Sequence, residues 1–179
     1  MEFMQLLESR RSIRAYKPDT KISEETILEL LRAAQLAPSW KNSQTARYYV
    51  VMSEEKLKEV RENCLPEFNS NNCANAPALI ITAYETKRAG FDREGNPDNE
   101  LGDKWGVYDL GLQNENILLK AKECGLDTLV MGIRDADKLR EVLSVPESQE
   151  IVSVISVGYR DIEPPMPKRK AVEDIVRFY

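Results

Sequence analysis

The sequence predicts an α/β or α+β sandwich, a sheet of at least four strands with helices covering it. Four runs carry the strands: Tyr48-Tyr49-Val50-Val51, Ala78-Leu79-Ile80-Ile81, Thr128-Leu129-Val130-Met131 and the β-branched stretch from Ile151 to Val157. They alternate with segments whose apolar residues recur at helical spacing. The length of 179 residues suits a single domain spanning 1–179, large enough to bury about 70% of its surface without a disulfide or metal staple.

Met1 to Ser9, with Phe3, Leu6 and Leu7, reads as a short amphipathic helix. The second helix is well signalled: Ser23 caps it, Glu24 and Glu25 occupy its first turn, Ile22 and Ile27 form a hydrophobic staple, and Pro38 stops it after Ala34. Ser53-Glu54-Glu55 opens a third helix through Leu57 and Val60. Val107, Leu110, Asn114, Ile117, Leu118 and Ala121 mark a long central helix, closed by Gly125. Phe68-Asn69-Ser70-Asn71-Asn72, Thr86 to Asp103 and the proline-rich Glu163-Pro164-Pro165-Met166-Pro167 read as irregular, and the tail beyond is long enough to reach a neighbouring chain.

Composition narrows the chemistry. Twenty-five Lys plus Arg against 30 Asp plus Glu leave a net charge of -5, which repels nucleic acid and anionic lipid, so any anion site has to be local. The absence of histidine removes Ser-His-Asp and Cys-His catalysis, HExxH zinc sites and any imidazole base. Three cysteines without a CxxC pair suit reduced thiols. No membrane-spanning run or signal peptide is evident, and the expected address is the cytoplasm.

Arg10, Arg11, Ser12 and Arg14 gather guanidinium forks and a hydroxyl at one helix-to-loop junction. Two readings stand: a site for a phosphate-bearing ligand, or a solvated basic corner favoured by the helix macrodipole. Lys168-Arg169-Lys170 is a second basic island, and spacing alone does not join the two. Pro38-Ser39-Trp40-Lys41-Asn42-Ser43-Gln44 offers short polar groups, either for the edge of a planar heterocycle or for a turn bonded to its own backbone. Asp92, Glu94, Asn96 and Asp103 imitate a calcium loop, but Pro97 stands where that loop needs glycine, and a solvated loop is the better reading. No GxxxxGK[ST] and no GxGxxG after a strand is present.

Arg10-Arg11-Ser12-Ile13-Arg14, Ala37-Pro38-Ser39-Trp40-Lys41-Asn42-Ser43-Gln44, Trp105 with Asp109 at the head of a long helix, and Gly125-Leu126-Asp127-Thr128 before Met131-Gly132 follow one another in an order that resembles the nitroreductase family of FMN-dependent oxidoreductases. The resemblance covers essentially the whole chain. It implies an α+β fold, an α-β-α sandwich with a mixed central sheet, and a homodimer with FMN at the subunit interface. It implies that Arg10, Ser12 and Arg169 face the phosphate and ribityl chain, with Arg11 and Lys168 beside them, which would unite the basic islands. Arg14, Asn69 and Asn72 would reach the pyrimidine edge, and Pro38, Ser39 and Asn42 would come from the other subunit. Val130-Met131-Gly132 would run along the flavin with a backbone N–H toward N5.

The implied activity is hydride transfer from NADH or NADPH to flavin N5 and on to a small-molecule electron acceptor, nitroaromatic, quinone or similar, by a ping-pong mechanism with no obligatory side-chain acid or base. Other reactions on the same fold, at an enone, a C–halogen bond or in dehydrogenation, stay open, as does a non-catalytic FMN-binding module. Thr45 and Ala46 replace a proline and an aromatic common in the family, and Ala171 replaces a proline of the tail. The segment Glu85 to Lys104 is shorter than the excursion of larger relatives, which implies a more open pocket.

Overall fold

Alternation along β2 (Ala78–Glu85) shows how the chain builds two cores at once, for Leu79, Ile81 and Ala83 face one side while Ala78 and Ile80 face the other. The structure, a computed structural model, describes residues 2–179. Around β2 the sheet runs in the order β1-β2-β4-β3, with β1 Ala46–Val51, β3 Asp127–Met131 and β4 Gln149–Gly158. Helices α2 (Glu24–Gln35) and α5 (Lys104–Glu123) cover one face through Ile27, Leu30, Ile117 and Ala121. Helices α3 (Glu54–Cys64) and α6 (Ala136–Leu143) cover the other through Leu57, Val60 and Leu139. The outcome is an α-β-α sandwich of the α+β class, as expected, and all four predicted strands are present.

Every strand pairs antiparallel with its neighbours, which corrects the expected mixed sheet. The reason lies in the crossover. Helix α5 returns the chain so that β3 runs in the direction of β2, but β4 enters between them and opposes both. The parallel pairing is confined to the isolated bridge from Ser12 to Thr128 on the outer edge of β3.

Local signals placed the helices well. Ser23 Oγ accepts the Thr26 N–H at 3.1 Å, Ile22 and Ile27 are buried, and Ser53 Oγ accepts from Lys56. At the end of α5, Gly125 sits at φ 75° while the Leu126 N–H reaches the Ala121 carbonyl, a Schellman closure. Helix α1 covers Phe3–Ser9, and Met1, read as part of it, lies outside the described residues.

Two helices escape the sequence reading. Residues 68–72, expected as a plain loop, belong to α4 (Glu67–Asn72), and α6 was not foreseen at all. Asparagine is a poor helix former, so α4 rests on tertiary support: buried Asn69 donates its side-chain amide to the Ile133 carbonyl at 2.8 Å. Helix α6 had a local signal in Asp135, whose carboxylate accepts the Lys138 N–H ahead of buried Leu139. Among the described residues the three cysteines are free, and no helix is long and apolar enough to cross a membrane.

Candidate functional site

Beyond α1 the chain is extended and docks on the open edge of β3. Ile13 donates its N–H to the Thr128 carbonyl at 3.0 Å and buries its side chain completely. Tyr16 is buried three residues on, its hydroxyl 2.8 Å from Ser156 Oγ. With Ile13 turned inward, the two-residue period of extended backbone turns Ser12 and Arg14 outward, and both are exposed. Neither side chain has a hydrogen bond or ion pair among the described residues.

The neighbouring arginines are partly committed. Arg10 Nε lies 3.8 Å from a Glu115 carboxylate oxygen on α5. Arg11 folds back on the Glu8 and Arg10 carbonyls at the end of α1, and its Nε is buried without a partner among the described residues.

Along the same edge, Met131 pairs with Val154 and sends its side chain into the core. Thr128 turns its carbonyl outward to Ile13, so the backbone of Val130, two residues on, faces the same open side. Val130 and Gly132 are exposed there. Asn69 is tied to Ile133 just past this stretch, and Asn72 ends the same short helix half-buried. Arg10 to Arg14, Asn69, Asn72 and Val130 to Gly132 thus gather around the outer edge and end of β3.

Pro38, Ser39 and Asn42 lie elsewhere, before β1 at the opposite edge of the sheet. Three strand spacings, about 14 Å, separate the two edges. The segment is a turn bonded to itself: Ser39 Oγ accepts the Gln44 N–H at 3.1 Å, and the Asn42 and Ser43 amides return to the Ser39 and Trp40 carbonyls. Lys41, Asn42 and Gln44 are all left-handed, at φ 47°, 54° and 49°, and none is glycine. Three such residues in four positions carry strain that other contacts must offset.

Those contacts were not legible beforehand. Buried Asp109 on α5 accepts the Trp40 N–H at 2.8 Å, and burial pushes its carboxyl above the usual carboxylate range despite this bond. Asp98, from the irregular segment, accepts from Lys41 Nζ at 2.7 Å and Trp40 Nε1 at 3.3 Å. The Trp40 and Trp105 rings lie 4.5 Å apart, and Tyr108 meets Trp105 edge-on. Aspartate heading a helix was the one advance signal for Asp109, and nothing in the sequence singled out Asp98.

Lys168 and Arg169 sit on the tail, exposed, with Arg169 bonded to the Pro167 carbonyl. The tail leaves the body at Arg160, whose guanidinium forks onto buried Asp127 at 2.7 and 2.6 Å. Beyond it Val172, Ile175 and Phe178 stay exposed, the last at 91%. Among the described residues no hydrogen bond or ion pair joins the second basic island to the first within one chain. Asp92 spends its carboxylate on its own loop, on the amides of Asn96 and Glu94, and these bonds hold it below the usual range.

Comparisons with known proteins bear on the fold and the family. The model of the nitroreductase family matches residues 7–74 and 65–159. A protein of Archaeoglobus fulgidus, provisionally named an NADH dehydrogenase/NAD(P)H nitroreductase, is 34% identical over 88% of this chain and 85% of its own. Among solved structures, an FMN-dependent nitroreductase of Clostridium difficile R20291 is 29% identical, with a TM-score of 0.77 over 98% of each chain. One of Exiguobacterium sibiricum, provisionally named a nitroreductase and solved in complex with FMN, is 25% identical, with a TM-score of 0.88 over 100% of this chain and 98% of its own. With the family model spanning most of the fold and a relative above 30% identity along nearly its whole length, the chain belongs to the nitroreductase family.

Proposed function

We propose that the protein is a cytoplasmic, homodimeric, FMN-dependent NAD(P)H oxidoreductase. The observation that carries this is the Ser12–Thr128 bridge, which lays the basic segment beside exposed Val130 and Gly132 and turns Ser12 and Arg14 outward. The donor set suits FMN. Arg10, Arg11 and Ser12 offer cations and a hydroxyl for a phosphate and ribityl chain, and the open backbone at Val130 to Gly132 offers N–H groups to ring heteroatoms. Arg14 supplies a fixed positive charge where negative charge would gather at the pyrimidine edge.

Ser39 uses an oxygen lone pair on Gln44 and keeps its hydroxyl proton to donate, while Asn42 is exposed. These two and Pro38 stand at the far sheet edge, so a second copy would bring them to the same flavin. The exposed apolar tail, carrying Lys168 and Arg169, also fits an arm laid on a partner. Asn69 and Asn72 would close the site from α4. Bound there, FMN supplies hydride acceptance at N5 and onward transfer, from NADH or NADPH to a nitroaromatic, quinone or similar conjugated acceptor. The chain's own work is to bind, orient and stabilise charge, which needs no histidine.

The test is the visible spectrum of the purified protein after FMN addition and desalting, then under anaerobic NADH or NADPH. Retained absorbance near ~450 nm that bleaches, and recovers with a nitro, quinone or enone acceptor, is expected. A colourless protein that refuses FMN would overturn the reading. Arg10→Ala should weaken FMN binding roughly ten- to hundredfold, and Lys170→Ala much less.

A further inference from the structure

We propose that Asp109 is a positioning residue for the Ser39–Gln44 loop, holding it in the left-handed shape that presents Ser39 and Asn42 to a flavin. The inference rests on the FMN reading for what the loop presents, and on geometry for how it is held. Lys41, Asn42 and Gln44 adopt φ of 47°, 54° and 49° without a glycine among them, a conformation that L side chains leave unless something restrains them. The loop's own bonds close it at Ser39, Asn42, Ser43 and Gln44 but leave the Trp40 amide for an outside acceptor.

That acceptor is a carboxylate with only 3% of its residue exposed, on the most buried helix of the fold. Helix α5 therefore holds the amide of the residue immediately before the first left-handed one, through the Ser39–Trp40 peptide. Two other contacts flank the bond: the Trp40–Trp105 ring pair and the exposed Asp98–Lys41 bridge. The bridge is the weaker, since Lys41 is largely in solvent. The carboxylate end of this bond is buried while Trp40 is half-buried, so the acceptor the loop relies on comes from within the fold. Asp109 touches no reacting atom in this account; it acts through Trp40.

The experiment compares the full-length wild type with Asp109→Ala and Asp109→Asn, before and after loading with FMN. Asparagine keeps a side-chain oxygen that can accept the Trp40 N–H, and alanine does not. Three readouts apply: the FMN dissociation constant by flavin fluorescence, the exciton couplet of the Trp40–Trp105 pair in circular dichroism, and the rate of tryptic cleavage after Lys41. Expected for Asp109→Ala are about tenfold weaker FMN binding, a lost couplet and faster cleavage, with Asp109→Asn restoring most of all three.

An alanine variant matching wild type in couplet and cleavage overturns the proposal. So does an asparagine variant as impaired as alanine, which would assign the role to charge rather than to the acceptor. Should Asp109→Ala not fold, Asp109→Leu, with the same branched outline and likewise without an acceptor, takes its place in the comparison. A wild type that binds no FMN would sink the flavin reading alone, and the couplet and cleavage would still judge the hold on the loop.

Discussion

Replacing Arg160 by alanine probes the joint where the tail leaves the sheet. Arg160 donates from Nε and Nη2 to both oxygens of Asp127, a carboxylate whose side chain is 4% exposed, and its third visible bond goes to Glu163 at the surface. Removing one partner of a buried ion pair costs about 3–5 kcal/mol, because the remaining charge stays desolvated. Lys122 Nζ, 3.4 Å from Asp127, remains to offset part of that, leaving roughly 2–4 kcal/mol. At about 2–4 °C per kcal/mol for this size, the melting midpoint should fall by roughly 4–16 °C at fixed protein concentration. Urea titration should show the same loss as a lower midpoint at unchanged slope. Glu163→Ala, which touches only the exposed end of the fork, should stay within about 0.5 kcal/mol. The double variant Arg160→Met with Asp127→Leu should recover much of the loss by removing the stranded charge. A single variant within about 1 kcal/mol of wild type, or a double variant no better than the single, would refute the argument.

Gly106→Ala should destabilise by about 1–3 kcal/mol in urea titration, since the added Cβ would collide with the buried Tyr84 ring and force it to shift. Ile13→Ala should cost about 2–5 kcal/mol, and it should weaken FMN binding without touching the ligand, because the register of Ser12 and Arg14 depends on Ile13; unchanged affinity by fluorescence would argue against that dependence. Among the thiols, Cys73 is fully buried with its pKa pushed up to about 11 by desolvation, so a thiol reagent at mild pH should label half-buried Cys124 first and leave Cys73 until unfolding.

The readable parts of this chain are those whose cause lies within a few residues. Ser23 and Ser53 announce their helices because a cap needs only the amide three positions ahead. Helix α4 stayed hidden because its support, Asn69 on Ile133, spans 64 residues. The antiparallel sheet was equally hidden, since inserting β4 between β2 and β3 leaves no local trace. At the site, the basic cluster was visible as composition, but the inward turn of Arg11 depends on the Glu8 and Arg10 carbonyls. The 38–44 segment admitted a turn and a ligand contact, and its internal bonds show the turn while leaving Asn42 exposed. What chose between equally polar neighbours was where each backbone was anchored.

The same logic explains how an acidic protein without a glycine-rich phosphate loop would present the proposed anion site. A phosphate loop displays backbone amides, and its glycines allow the ligand a close approach. Here an extended segment displays side chains instead, and what fixes them is the hydrophobic residue between them. Slipping the Ile13 segment by one residue against Thr128 would turn Ser12 and Arg14 into the core and bring Ile13 to the surface. Burying an unpaired guanidinium is costly whereas burying isoleucine is favourable, so the core selects the register and the register sets the charge at the surface. Specificity at the proposed anion site would thus be written partly in residues that never meet the anion. The loop at the other sheet edge follows suit: Ser39 and Asn42 are displayed by a strained turn whose restraint, Asp109, is buried in α5. Both halves of the site are held from beneath, so substitutions at Ile13 and Asp109 should change ligand affinity while leaving every surface donor in place.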